Sequence, residues 1–112
     1  MWRVAGSSQC GSNAHLQGVH LRLPGYGDEG PTLEIFGYDQ FIERKMPRAN
    51  ECGFAHIAFG VDNVEQALQA VVAAGGSAVG EIATTEVVGV GLLRVVYARD
   101  PEGNIIELQK WS

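Results

Sequence analysis

The sequence has 112 residues, the length of one compact domain, and its 46% hydrophobic and 19% charged residues allow a core. A formal net charge of −5, with eight scattered Lys and Arg residues, argues against nucleic acid or an anionic membrane as the main partner. No apolar run could span a bilayer, and the first residues lack the apolar stretch of a signal peptide, so we expect a soluble cytoplasmic protein. Cys10 and Cys52 lack a CxxC spacing, which favours free thiols.

The first predicted element is a β-hairpin made of residues 18–24 and 32–38, joined by Gly- and Pro-rich turn residues. Its strands alternate between apolar and polar positions, so one face is apolar and carries Val19, Leu21, Leu23, Leu33 and Ile35. The Gly-, Ser- and Asn-rich residues before it are predicted to be loose, apart from a short strand at residues 2–4. A charged linker, residues 39–53, follows the hairpin.

A histidine stands in the middle of the next predicted strand, residues 54–61. A period of two puts the bulky apolar residues on one face and the small residues beside His56 on the other, which leaves room for a ligand. The following helix is predicted over residues 63–74, with Asp62 as N-cap and Glu65 completing a capping box.

Three further strands complete the predicted order strand–helix–strand–strand–strand over residues 54–111. Gly75 and Gly76 end the helix, and the strands are predicted at residues 77–82, 91–99 and 104–111. The residues between the last two, "DPEG", have the signature of a type I turn. The sequence therefore predicts an α+β fold.

An internal repeat relates residues 28–36 to residues 101–109, and it aligns Glu34 with Glu107. Both stretches pass from a turn into a strand with one Glu between two apolar residues. At this offset the counterpart of His56 falls before Met1. We therefore expect the first copy to lack its opening strand and its helix.

A resemblance to a known family is carried by the segments "GFAHIAFGVDNVEQALQAVVAAGG" and "VVYARDPEGNIIELQ", preceded by "LRLPG" and "TLEIF". Together they resemble the vicinal oxygen chelate superfamily, which includes glyoxalase I, methylmalonyl-CoA epimerase, extradiol dioxygenases and bleomycin-resistance proteins. The resemblance covers residues 18–111 and implies βαβββ modules whose curved sheets enclose a site. It predicts a single glyoxalase-like domain over residues 1–112, with a partial first module (18–38) and a complete second module (53–112).

The resemblance also implies metal ligands, because family modules offer one ligand from the first strand and one from the last. Carried over, His56 and Glu107 are the ligands of the second module and Glu34 is the last-strand ligand of the first. Imidazole and carboxylates suit Zn, Ni, Co, Mn or Fe as a divalent ion. Glu34 or Glu107 would also act as the catalytic base that removes a proton next to a carbonyl. The fourth ligand has no counterpart, and His20 or His15 could replace it.

Substrate contacts are predicted from charge and aromatic character. Arg22 could steer an anionic substrate group, while Phe36 and Trp111 could line a cleft. Other aromatic residues that could line it are Phe54, Tyr38 and Tyr97.

The preferred function is that of a metal-dependent lyase or isomerase acting on a small carbonyl or thioester substrate. The alternative is a metal-free protein that sequesters a small hydrophobic or aromatic compound, as bleomycin-resistance proteins do. A third possibility is a relative that keeps the fold without activity.

The apolar face of the hairpin lacks a helix of its own module to cover it. Such a face is an association surface, so we expect a homodimer, with exchanged strands as one form. The alternative is that this chain is a fragment whose upstream start has been lost.

Overall fold

A computed structural model describes the backbone of residues 2–5 and the whole of residues 15–112. The chain divides into an N-terminal unit, residues 1–43, and a C-terminal unit, residues 44–112. The described residues form seven strands and one helix, which confirms the predicted α+β class. Most of the segment predicted to be loose, and Cys10 with it, lies outside the described residues, whereas Cys52 is a free, exposed thiol.

The N-terminal unit is an antiparallel sheet with the strand order β1-β2-β3. Its strands are β1 (Trp2–Ala5), β2 (His15–Arg22) and β3 (Thr32–Tyr38). The predicted hairpin is β2 and β3, although β2 begins earlier than the alternation indicated because it also pairs with β1. The Leu23 amide donates to the Pro31 carbonyl at 3.2 Å and closes the connecting turn.

The predicted apolar face of this hairpin reaches solvent. Leu21 and Ile35 are each 46% exposed, while Val19, Leu23 and Leu33 are half-buried. Large apolar side chains at this exposure leave the face available for association.

The C-terminal unit follows the predicted order of one strand, one helix and three strands. Its elements are β4 (Ile57–Gly60), α1 (Val64–Ala73), β5 (Ser77–Val87), β6 (Gly91–Arg99) and β7 (Ile105–Trp111). The sheet order is β4-β7-β6-β5, with β4 parallel to β7 and the other pairs antiparallel. Val64 of the helix packs with Val96 and Leu108, all at most 4% exposed, to form the core.

The strand that precedes the helix is shorter than predicted, and His56 lies immediately before it rather than in its middle. The ladder begins where Ile57 pairs with Ile106, one residue after β7 starts. Residues upstream of Ile57 therefore have no partner on β7, and alternation alone cannot show where a partner strand begins.

The helix begins at Val64, one residue later than predicted. Asn63, not Asp62, is the N-cap, and its side chain accepts a hydrogen bond from the Gln66 amide at 2.9 Å. The predicted end is correct, since the amides of Gly75 and Gly76 donate to Val72 and Val71. Gly75 has φ +101°, a conformation that favours glycine over residues with a Cβ. No helix in the described part of the chain is long and apolar enough to cross a membrane.

The predicted "DPEG" turn joins β6 to β7 and is held by one carboxylate. Asp100 accepts hydrogen bonds from the amides of Glu102 and Asn104 at 2.9 and 2.8 Å. The Gly103 amide donates to the Asp100 carbonyl at 3.0 Å. This network fixes where β7 begins and therefore the position of Glu107 in the sheet.

Candidate functional site

His56 and Glu107 meet in the C-terminal unit although 51 positions separate them in sequence. Nε2 of His56 lies 3.1 Å from Oε2 of Glu107, a distance at which the ring N–H donates to the carboxylate. The side chains are 27% and 14% exposed. The contact follows from the parallel register, because Ala58 pairs with Glu107 and His56 precedes Ala58 by two residues.

Tyr97 completes this cluster from the neighbouring strand. It pairs directly with Glu107 in the antiparallel register of β6 and β7. Its ring meets the His56 ring edge-on, with centroids 5.1 Å apart and an interplanar angle of 90°. The aromatic residues of the sequence indicate Tyr97 only as one of several that could line a cleft, whereas the register of β6 and β7 links it to Glu107.

The sheet face that carries this cluster is opposite the core. Leu108 and Ile106 lie on the helix side of the sheet, so Glu107 between them projects away from the helix. The same alternation puts Tyr97 on the face opposite the buried Val96 and Ala98. The predicted orientation of Glu107, away from the apolar layer, is therefore observed.

A second His–Glu contact lies in the N-terminal unit. His20 pairs with Glu34 in the register of β2 and β3, and its Nε2 is 3.2 Å from Glu34 Oε1. The other ring nitrogen, Nδ1, is 3.1 Å from the Thr32 hydroxyl oxygen. These side chains are more open than the first pair, at 47% for His20 and 41% for Glu34.

Each unit therefore offers one imidazole nitrogen and one carboxylate oxygen, which are both ligands of divalent first-row ions. The chemistry of each pair fits such an ion, since an unprotonated Nε2 and the facing carboxylate both present electron pairs. Within neither unit do three or more His, Cys, Asp or Glu residues cluster as a metal site among the described residues. A set drawn from His56, Glu107 and Glu34 stays a prediction.

Each of the three predicted substrate contacts has a different local partner. Arg22 forms an ion pair with Asp28, and both side chains are largely exposed. Phe36 lies beside Tyr38, with ring centroids 6.1 Å apart. Trp111 is 44% exposed near the end of β7, and its indole N–H donates to Gln109 at 2.9 Å.

Comparisons with known proteins give a consistent result. A family model described as the Glyoxalase/Bleomycin resistance protein/Dioxygenase superfamily matches residues 5–108. A curated protein from Vibrio parahaemolyticus, "Probable lactoylglutathione lyase", is 34% identical over 90 residues, covering 79% of this chain and 60% of that protein.

The fold is similar to that of a solved glyoxalase family protein from Bacillus cereus. The TM-score is 0.73 at 18% identity, and the match covers 89% of this chain and 64% of that one. At this identity the likeness shows the fold alone. The chain spans less than two thirds of the length of either relative.

Proposed function

Because the chain belongs to the Glyoxalase/Bleomycin resistance protein/Dioxygenase superfamily, we propose that it is a metal-dependent lyase or isomerase acting on a small carbonyl or thioester compound. The observation that carries the proposal is the contact between His56 Nε2 and Glu107 Oε2, at 3.1 Å on the sheet face opposite the core. The name of the Vibrio parahaemolyticus relative supports a lyase.

His56 and Glu107 would hold the ion, and Glu34 of the N-terminal unit is the proposed third ligand on the strength of the family resemblance. A divalent ion supplies Lewis acidity that polarises a carbonyl and stabilises negative charge on its oxygen.

Glu107 is the better proposed base of the two glutamates. Its Oε2 faces His56, while Oε1 forms no hydrogen bond within the described residues. Oε1 is therefore available to take a proton from the carbon next to the carbonyl, while Oε2 and His56 Nε2 would hold the ion. The Tyr97 ring packs against the His56 ring from one side.

Metal content and affinity test this proposal directly. The protein, purified without chelators, should contain a stoichiometric divalent ion, and His56→Ala and Glu107→Ala should each weaken Zn binding by at least about 100-fold. Glu86→Ala is the matched control, because Glu86 lies exposed on β5 and its side chain forms no hydrogen bond or ion pair among the described residues.

Activity supplies the second readout. Interconversion of lactoylglutathione with its oxoaldehyde and thiol components can be followed by thioester absorbance, and Glu107→Gln should abolish it. A wild-type protein that binds no metal but binds a planar aromatic compound tightly would contradict the proposal and support a sequestering protein instead.

A further inference from the structure

A cleft with an excess of positive charge lies in the C-terminal unit. Its volume is about 540 Å³, and its lining residues are Lys45, Met46, Arg48, Glu51 and Arg99. Three cations and one carboxylate face it, in a protein whose formal net charge is −5. The cleft is thus locally cationic on an acidic protein, which concentrates small anions.

The cations of this cleft form no direct ion pair with a carboxylate among the described residues. Lys45 and Arg48 form no side-chain hydrogen bond or ion pair with the rest of the described chain. Arg99 donates to a neutral acceptor, the Gly103 carbonyl, at 2.7 Å. By contrast, Arg22 and Arg94 each pair with a carboxylate.

Two contacts build the cleft by tying the linker before β4 to the turn before β7. Nη2 of Arg44 donates to the Asn104 side-chain oxygen at 2.5 Å. The thioether of Met46 lies over Gly103, so close that a Cβ at Gly103 would be 2.6 Å from its sulfur. Because the residues on either side of Lys45 are held this way, Lys45 and Arg48 stand beside Arg99.

One lining residue of the cleft, Arg99, lies on the sheet face that carries the His56–Glu107 pair. Arg99 is two residues from Tyr97 on β6, so both belong to the same face of the strand, and Tyr97 pairs with Glu107. Two strand residues span about 7 Å, which is the reach of a small organic molecule.

We propose that this cleft binds an oxyanion group, carboxylate or phosphate, at one end of a small molecule whose carbonyl reaches His56 and Glu107. The inference rests on the proposed function and adds that its substrate is an anionic carbonyl compound. The guanidinium groups of Arg48 and Arg99 match either oxyanion with paired N–H donors, and Lys45 adds a point charge. Met46 supplies an apolar wall for the carbon chain between the charge and the carbonyl.

Two probes distinguish the two oxyanions. The full chain is titrated with inorganic phosphate and, separately, with 2-oxoglutarate, at constant ionic strength, while backbone amides are followed by ¹H–¹⁵N NMR. We expect saturable shifts at residues 45–51 and 99–104 with at least one probe, and the tighter probe identifies the oxyanion class. We expect 2-oxoglutarate, which carries a ketone, also to shift the amides of Tyr97 and Glu107.

The matched variants distinguish specific anion binding in the cleft from nonspecific attraction of anions to surface charge. Arg48→Gln and Lys45→Gln should each weaken the saturable probe at least about 10-fold, the range for a charge-assisted hydrogen bond. Lys110→Gln, which removes one exposed cation from β7, should leave affinity within about twofold. Shifts that never saturate, or an equal loss in Lys110→Gln, would overturn the site.

The same variants distinguish this inference from the proposed function. His56→Ala should retain anion binding, and Arg48→Gln should retain Zn binding. Loss of Zn binding alone contradicts the proposed function, whereas loss of saturable anion binding alone contradicts the cleft. Saturable binding that never shifts Tyr97 or Glu107 contradicts the proposed reach to the His–Glu pair. Amide spectra as dispersed as those of the wild type show that each variant is folded.

Discussion

The two units carry the same local arrangement, a histidine facing a glutamate, at nearly equal distances of 3.1 and 3.2 Å, but they bury it differently. In the C-terminal unit, β7 lies between β4 and β6, and the helix covers the opposite face of the sheet. In the N-terminal unit, β3 pairs only with β2, and no helix occurs among the described residues of that unit. Glu107 is consequently 14% exposed and Glu34 is 41% exposed.

This difference shows that a cross-strand contact is set by register, while its electrostatic strength is set by what surrounds it. A charge interaction in a less hydrated environment is screened less than one at an open surface. Of the two pairs proposed to bind metal, we therefore expect the C-terminal pair to bind it more tightly.

The largest expected effect is on the free energy of unfolding, when the same Leu-to-Ala substitution is made in the apolar layer of each unit. Leu108→Ala should lower the free energy of unfolding by about 3 kcal/mol, because Leu108 is 4% exposed and its loss leaves a cavity. Leu21→Ala, at 46% exposure, should lower it by less than about 1 kcal/mol. Urea unfolding measures both.

Equal losses of unfolding free energy in the two variants would contradict this prediction, since they would mean that the face carrying Leu21 is covered. The expected homodimer would cover it in this way, and sedimentation velocity of the same Leu21→Ala sample reports the accompanying change of mass. A monomeric wild type with a small Leu21→Ala effect would count against the homodimer.

The next effect compares the two carboxylates as metal ligands. Glu34→Ala should weaken Zn binding by about 10-fold, less than the loss expected for Glu107→Ala, because Glu34 is the more hydrated of the two. Calorimetric titration of Zn into both variants measures the difference. A loss in Glu34→Ala equal to or larger than that in Glu107→Ala would reverse the ranking of the two pairs.

The smallest effect concerns an ion pair on the helix side of the C-terminal sheet. The hydrogen bond from Arg94 lowers the pKa of Glu65 from 4.5 and raises the pKa of Arg94. A carboxyl group with a lowered folded-state pKa adds stability above its unfolded pKa and loses it as the pH falls through the folded one. Thermal unfolding should therefore show a slightly weaker loss of stability below pH 4.5 in Glu65→Gln than in the wild type.

Asp28→Asn is the N-terminal counterpart and control for this measurement. Its side chain is 87% exposed in the pair with Arg22, so its removal should change stability little. If Glu65→Gln keeps the acid dependence of the wild type, the Arg94 contact has no bearing on stability.

Much of the fold could be predicted because its signals are local. Alternation located β3, β6 and β7 within one residue, and the glycine pair located the end of the helix. The errors occurred where a partner decides the boundary. Asn63 rather than Asp62 caps the helix because its side chain reaches the Gln66 amide. β4 is short because its pairing with β7 runs only from Ile57 to Gly60.

The candidate site was predictable only in part. The family motif pointed to His56 and Glu107, and the structure brings them together. The Tyr97 ring contact and the cationic cleft had no local signal, because Lys45 and Arg99 are distant in sequence and neither follows a periodic pattern.

The sequence by itself determined the order of strands, helix and turns, since periodicity and the backbone preferences of Gly, Pro and Asp act over a few residues. Only the tertiary structure decided which side chains meet across strands, how much water reaches each His–Glu pair, and where unneutralised cations gather. Those outcomes depend on register and packing between residues far apart in the chain, and no short stretch of sequence contains that information.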